Sequence, residues 1–203
     1  MRQAPWLLSL GTVLFIVSLA LSSACQSRPA ASPEPDPAQP AYAPTATVKD
    51  LMLSVIDPSA DVVWLSVTTI QSEKGIVETK PVTDEDWTKV RHGAVTLTEA
   101  ANLLMIPGRR VARPGEKSET PGVELEPEEM DALIAKERAA WNTRAKALHE
   151  AGLAVLKAID AKDADKVFEI GEQIELACES CHMQFWYPNE KIPTFPEDTP
   201  QSQ

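Results

Sequence analysis

The stretch from Ala164 to Phe185 carries Val167, Phe168, Gly171, Ile174, Cys178, Cys181, His182 and Phe185 at helical spacing. Positions i, i+3 and i+4 of a helix share one face. A helix here therefore points Cys178, Cys181 and His182 the same way, as an extension of an apolar stripe. Such a stripe must lie against other elements, so the chain needs helical partners around the end of this segment.

Three more stretches have the same period. The first starts near Val48, with Val48, Leu51, Met52, Val55 and Ile56 on one stripe. Asp57-Pro58 then reads as an N-cap followed by Pro at the first helical position, which predicts a kink or break and a restart. Residues 62–70 are rich in β-branched side chains, and propensity alone would allow a strand there. The second stretch starts at Thr83, with Asp86 three residues on as a near capping box. Trp87, Val90, Ala94, Val95, Ala101, Leu104 and Met105 follow, and Pro107-Gly108 ends it. A loop rich in Pro, Gly and charge runs from there to Leu125. The third starts at Pro127 among Glu128, Glu129 and Asp131, acids that suit a helix N-terminus. Its stripe is Met130, Leu133, Ile134, Trp141, Leu148, Val155, Leu156 and Ile159. Lengths and loops predict an all-α fold, an antiparallel four-helix bundle over residues 48–187.

The two ends read differently. Arg2 followed by an apolar run over residues 7–21 has the form of a secretory signal over residues 1–24; a retained membrane anchor is the alternative. The signal ends in Ser22-Ser23-Ala24-Cys25, which resembles a bacterial lipobox with Ser22 where Leu is usual. The resemblance implies that Cys25 is lipidated; plain cleavage near Ala24 is the alternative. Residues 26–47 are rich in Pro, Ala and Ser and cannot bury enough apolar surface to offset their ordering entropy. They read as a tether that lets a lipid-anchored domain stand off a membrane. Residues 188–203 are similarly Pro-rich and polar and are expected to pack loosely.

Cys178-Glu179-Ser180-Cys181-His182 spells C-x-x-C-H, the pattern that attaches one haem c covalently. Each thiolate adds across one haem vinyl group to give a thioether, and the imidazole reaches the iron as an axial ligand. The alternatives are a C-x-x-C disulfide and half of a zinc site. A thioredoxin-like motif would need a βαβ context that is missing here, and zinc would need a second Cys pair.

The place of the motif, in the last helix of a helical chain, resembles class II cytochromes c, the cytochrome c′ and cytochrome c-556 family. The resemblance covers roughly residues 48–185 and rests on Ala177-Cys178-Glu179-Ser180-Cys181-His182 and on Val48-Lys49-Asp50-Leu51-Met52. It implies a four-helix bundle with the haem on its last helix, and one residue of the first helix over the far face of the iron. In the c-556 branch that residue is Met; in the c′ branch it is an apolar side chain and the iron is five-coordinate. Met52 holds the matching position, either as distal ligand or as core filler. Met105, Met130 and Met183 are lesser candidates, and His92 and His149, among polar neighbours, read as solvated. Trp87, Trp141, Phe168, Phe185 and Trp186 read as core or haem-packing residues, and Lys49 or Arg144 as partners for the haem propionates.

The expected function is electron transfer between extracytoplasmic redox proteins rather than enzyme catalysis, with a haem-based catalytic activity as a third and lesser alternative. The alternative is a five-coordinate haem that binds a small gas such as NO or CO. No distal His/Arg pair suggests a peroxidase. The net charge of −11 leaves nothing to neutralise nucleic-acid phosphates and would steer a basic partner surface. The expected location is the periplasm of a Gram-negative bacterium, tethered to a membrane by lipid. Family members often dimerise through their first two helices, so the resemblance also allows a homodimer.

Overall fold

A computed structural model describes residues 42–190. The signal segment, Cys25, most of the tether and the tail beyond residue 190 lie outside the described residues.

Helix α1 (Val48–Leu51) starts at Thr47, whose Oγ1 accepts from the Asp50 N–H at 3.0 Å while Asp50 Oδ2 accepts from the Thr47 N–H at 3.1 Å. Helical backbone then continues through a π turn (Met52–Ile56) into α2 (Asp57–Trp64). A second α-helical segment does begin at Asp57 with Pro58 in its first turn, as expected, but without a break and without an Asp cap: Asp57 is itself helical (φ −58°, ψ −52°) and no side chain caps the helix there. Pro58 has no N–H, and its ring would crowd the carbonyl four residues back. The backbone answers by widening one turn, with the Asp57 N–H donating to the Met52 carbonyl, rather than by breaking.

Two strands follow, β1 (Thr68–Ser72) and β2 (Gly75–Thr79), paired antiparallel with Ile70 opposite Val77. This hairpin corrects the all-α expectation. Helix α2 stops at Trp64, and the Thr-Thr-Ile and Ile-Val segments beyond it pair across a turn. Gly75 closes that turn at φ +118°, where a side chain would be strained.

Helix α3 (Asp84–Leu104) carries the capping box its sequence announced: Thr83 Oγ1 accepts from the Asp86 N–H at 3.1 Å and Asp86 Oδ2 from the Thr83 N–H at 2.8 Å. The connection over residues 105–126 is tied down at both ends. Its Arg110 and Val111 carbonyls accept the Val48 and Lys49 N–H groups at 2.9 Å, and its Leu125 N–H donates to the Trp186 carbonyl at 2.8 Å.

The third stretch is two helices, α4 (Pro127–Lys136) and α5 (Arg138–Asp160), and not the single one expected. Glu137 leaves helical geometry (φ −112°, ψ 37°). Tertiary bonds hold that bend: Gln184 Nε2 donates to Glu137 Oε2 at 3.1 Å, and Arg138 Nη2 to the Met105 carbonyl at 2.5 Å. Helix α6 (Ala164–Phe185) is capped by Asp163, which accepts from the Lys166 N–H at 3.0 Å. Phe168, expected on its buried face, is 59% exposed, and Ile170 is buried instead.

The chain is mostly helical with one small sheet. Helix α5 packs on α3 and α6, and α2 packs on α3 and α6. Leu97, Ile174, Val63, Val155 and Val167 are sealed in the core between them. Glycine permits the closest approaches: a Cβ on Gly93 would stand 2.6 Å from Val62 Cγ1, and one on Gly152 would collide with Thr98 Oγ1. Among the described residues no helix is long and apolar enough to cross a membrane.

Candidate functional site

A cavity of about 510 Å³ opens between α1, the π turn, α2, α4, α5, the end of α6 and the 105–126 connection. That volume is in the range of sites for organic cofactors, ~300–1,000 Å³. Cys178, Cys181 and His182 line it from α6, and Met52 lines it from the start of the π turn. Val48, Ile56, Ala60 and Trp64 continue the same wall at four-residue steps. Trp141 and Phe185 close the floor, edge to face with ring centroids 5.2 Å apart. The Trp141 Nε1–H donates to the Leu104 carbonyl at 2.8 Å, so the indole brings no unpaired donor into the apolar wall.

The electrostatics of the three motif residues follow from burial. Burial pushes the Cys178 thiol up to about 11, with Glu175, Asp57 and Glu179 adding to the shift. Burial pushes the Cys181 thiol up to about 12, opposed by the Arg144 charge. Both thiols are protonated at neutral pH, unlike the low-pKa thiolate of a redox C-x-x-C. Burial also lowers the His182 pKa, against the opposing pull of Glu179, Glu175 and Asp57, which favours a neutral imidazole with a free lone pair. Trp186 stands edge-on to that imidazole at 5.0 Å and Tyr187 at 6.0 Å. The Tyr187 hydroxyl donates to Glu179 Oε2 at 2.7 Å, fixing its ring beside His182. Among the described residues, no group of three His, Cys, Asp or Glu side chains could hold a metal ion by itself. The motif therefore offers one nitrogen donor and two thiols facing an apolar slot, a donor set that suits a macrocycle supplying the remaining ligands.

Of the other candidates, Met130 lines the same cavity, while Met105 and Met183 do not, Met183 being exposed. His92, exposed, and His149, half-buried, lie away from the cavity. Trp186 lines it; Trp87 is in the core elsewhere, and Phe168 faces a separate shallow groove with Trp64 and Val67. Lys49 and Arg144 both line the cavity. Sequence reasoning missed Trp64, Tyr187 and the wall built by Val111, Ala112 and Ser118. Trp64 was within reach, by extending the Met52, Ile56, Ala60 series one more step. The connection had no periodicity from which to read its place.

The chain matches no family model, no curated protein and no solved structure.

Proposed function

We propose that this chain is an exported monohaem c-type cytochrome of the class II kind, carrying electrons between extracytoplasmic redox partners. One observation carries the reading: Cys178, Cys181, His182 and Met52 stand on the walls of one apolar cavity of cofactor size. The packing of α2 on α3, α3 on α5, α5 on α6 and α6 back on α2 supports a four-helix bundle, with the hairpin as an insertion between the first two helical stretches.

In this reading Cys178 and Cys181 would hold one haem through two thioethers, and His182 would offer its neutral imidazole nitrogen to the iron. A bound haem supplies a one-electron couple. The protein's part is to hold, orient and exclude water. Tyr187, anchored by Glu179, and Trp186 limit rotation of the His182 ring. Trp141, Phe185, Ile134 and Leu148 keep the slot apolar, which favours a small solvent reorganisation on electron transfer. Met52 would supply a thioether ligand to the iron, and a Met/His pair raises the reduction potential. The signal segment and Cys25 account for export and lipid tethering in the periplasm, where haem attachment takes place, and the acidic surface favours a basic redox partner.

Expression with a c-type maturation system tests this. The expected product keeps haem after denaturation and acid–acetone extraction, and Cys178→Ala/Cys181→Ala protein does not. The folded ferric form is expected to be low-spin with a methionine charge-transfer band that Met52→Ala removes. A high-spin ferric spectrum that changes on adding NO would instead indicate a five-coordinate gas-binding protein. Extractable haem in the native chain would overturn the cytochrome assignment.

A further inference from the structure

Trp64 lines two openings at once: the cavity described above, and a shallow groove between the end of α2, the start of the hairpin and the first half of α6. Its indole is held in place. The Nε1–H donates to the Gly171 carbonyl at 3.2 Å, and a Cβ on Gly171 would stand 3.4 Å from Trp64 Cδ1, so the ring edge lies directly against α6.

The groove joins an apolar lining to one sign of charge. Val63, Val67 and Val167 line it, and so does Phe168, which is 59% exposed. Phe168 does not stand alone in water: with Trp64 and Val67 it makes an apolar patch rimmed by polar groups, the pattern of an interaction surface. Glu169, Glu172 and Glu175 line the groove from α6 at three-residue steps, which keeps them on one side of the helix. None of the described residues that line it is basic. Lys166 pairs with Glu169 at 2.5 Å, whereas Glu172 and Glu175 make no ion pair among the described residues.

We propose that this groove is the docking site for a redox protein with a cationic surface, and that Trp64 is the contact through which the electron passes between that partner and the cavity. The inference rests on the haem reading given above. A Lys or Arg of the partner seats over the Trp64 and Phe168 rings, where a cation is attracted by the aromatic face. The three carboxylates favour a basic partner over an acidic one and speed its encounter. In the transfer the ferrous iron loses one electron and the partner's one-electron centre gains it. No bond forms or breaks, and the indole keeps its N–H on Gly171. The same role accounts for the hairpin, whose first residues Thr68 and Thr69 build one wall of the groove.

NMR of the isotope-labelled, haem-loaded ferrous chain tests the docking site, with reduced mitochondrial-type cytochrome c, a lysine-rich redox protein, as the probe. With both proteins reduced, shifts report docking without electron transfer. The Trp64 indole N–H and the Phe168 and Gly171 amides are expected to shift at low salt and to return at high salt. Glu169→Gln/Glu172→Gln should weaken binding severalfold. Stopped-flow oxidation tests the route, with tris(phenanthroline)cobalt(III) as a cationic, apolar oxidant and ferricyanide as an anionic one. The ratio of the cobalt rate to the ferricyanide rate cancels a change in potential common to both. It should fall severalfold in Glu169→Gln/Glu172→Gln and in Trp64→Leu. Shifts that spare the groove, or that persist in the double variant, would overturn the docking site, and an unchanged ratio in Trp64→Leu would overturn the route. Groove shifts that grow with the chain's own concentration, without the probe, would assign the surface to a second copy instead. Each of these results leaves a covalently loaded cytochrome intact. A native chain that carries no covalent haem would overturn both the inference and the function it rests on.

Discussion

His182 differs from His92 and His149 in surroundings, not in chemistry. It shares a cavity wall with two thiols, burial lowers its pKa, and two aromatic rings stand against its edge. Its place beside Cys178 and Cys181 was legible because the C-x-x-C-H spacing matches the 3.6-residue period, so helix formation alone aligns the three side chains. Met52 was legible by the same period, though its own environment was not: the π turn that begins there follows from Pro58, six residues away. The distal assignment predicts that Met52→Ala lowers the reduction potential as well as removing the charge-transfer band, measured by redox titration of the visible spectrum; an unchanged potential would make Met52 core filler. Ile174, one helical turn before Cys178, is fully buried. Ile174→Ala is expected to cost ~2–5 kcal/mol, read as a lower denaturation midpoint, since truncation of a fully buried side chain loses its apolar burial and leaves a void.

Three N-terminal carboxylates make the helices sensitive to acid. Backbone hydrogen bonds from Thr47 hold the Asp50 carboxyl below its usual range, and those from Thr83 do the same for Asp86. The Ser118 hydroxyl lowers Glu126, ahead of α4. A carboxylate whose folded pKa is depressed stabilises the fold at pH above its unfolded value, and the contribution is lost as pH falls through the folded value. Stability is therefore expected to be level near neutrality and to drop below about pH 4, the ordinary carboxylate range, with a shallower drop in Asp86→Asn. Thermal melts across that window check it. Thr83→Ala should lower stability by ~1 kcal/mol at neutral pH through the lost cap of α3. Gly152→Ala should cost ~1–3 kcal/mol, because a methyl group there meets Thr98, whose own hydroxyl is engaged with the Ala94 carbonyl at 2.7 Å. The capping pairs were readable, since they depend on residues three apart. The break at Glu137 was not, because Gln184 and Arg138 hold it through bonds to distant parts of the chain.

Across the whole molecule, the helices, the π turn and the 105–126 connection turn apolar surface toward one slot, so a covalently held haem should stabilise the fold strongly. The haem-loaded chain is expected to melt well above Cys178→Ala/Cys181→Ala protein, which keeps the helices but cannot retain the group; equal melting temperatures would argue that the slot is filled by something else. The sequence by itself determined the positions of most helices, the haem-type motif and the acidic surface, because capping, periodicity and ligand spacing are local properties. The tertiary structure decided the rest. It turned the Asp57-Pro58 break into a π turn, bent the third helix at Glu137, folded residues 68–79 into a hairpin and laid the 105–126 connection across one edge of the cavity. The reason is one of distance along the chain. Helix faces are set by residues three and four apart, whereas a cavity wall is set by side chains that meet only after the helices have packed, and nothing in their spacing records the meeting.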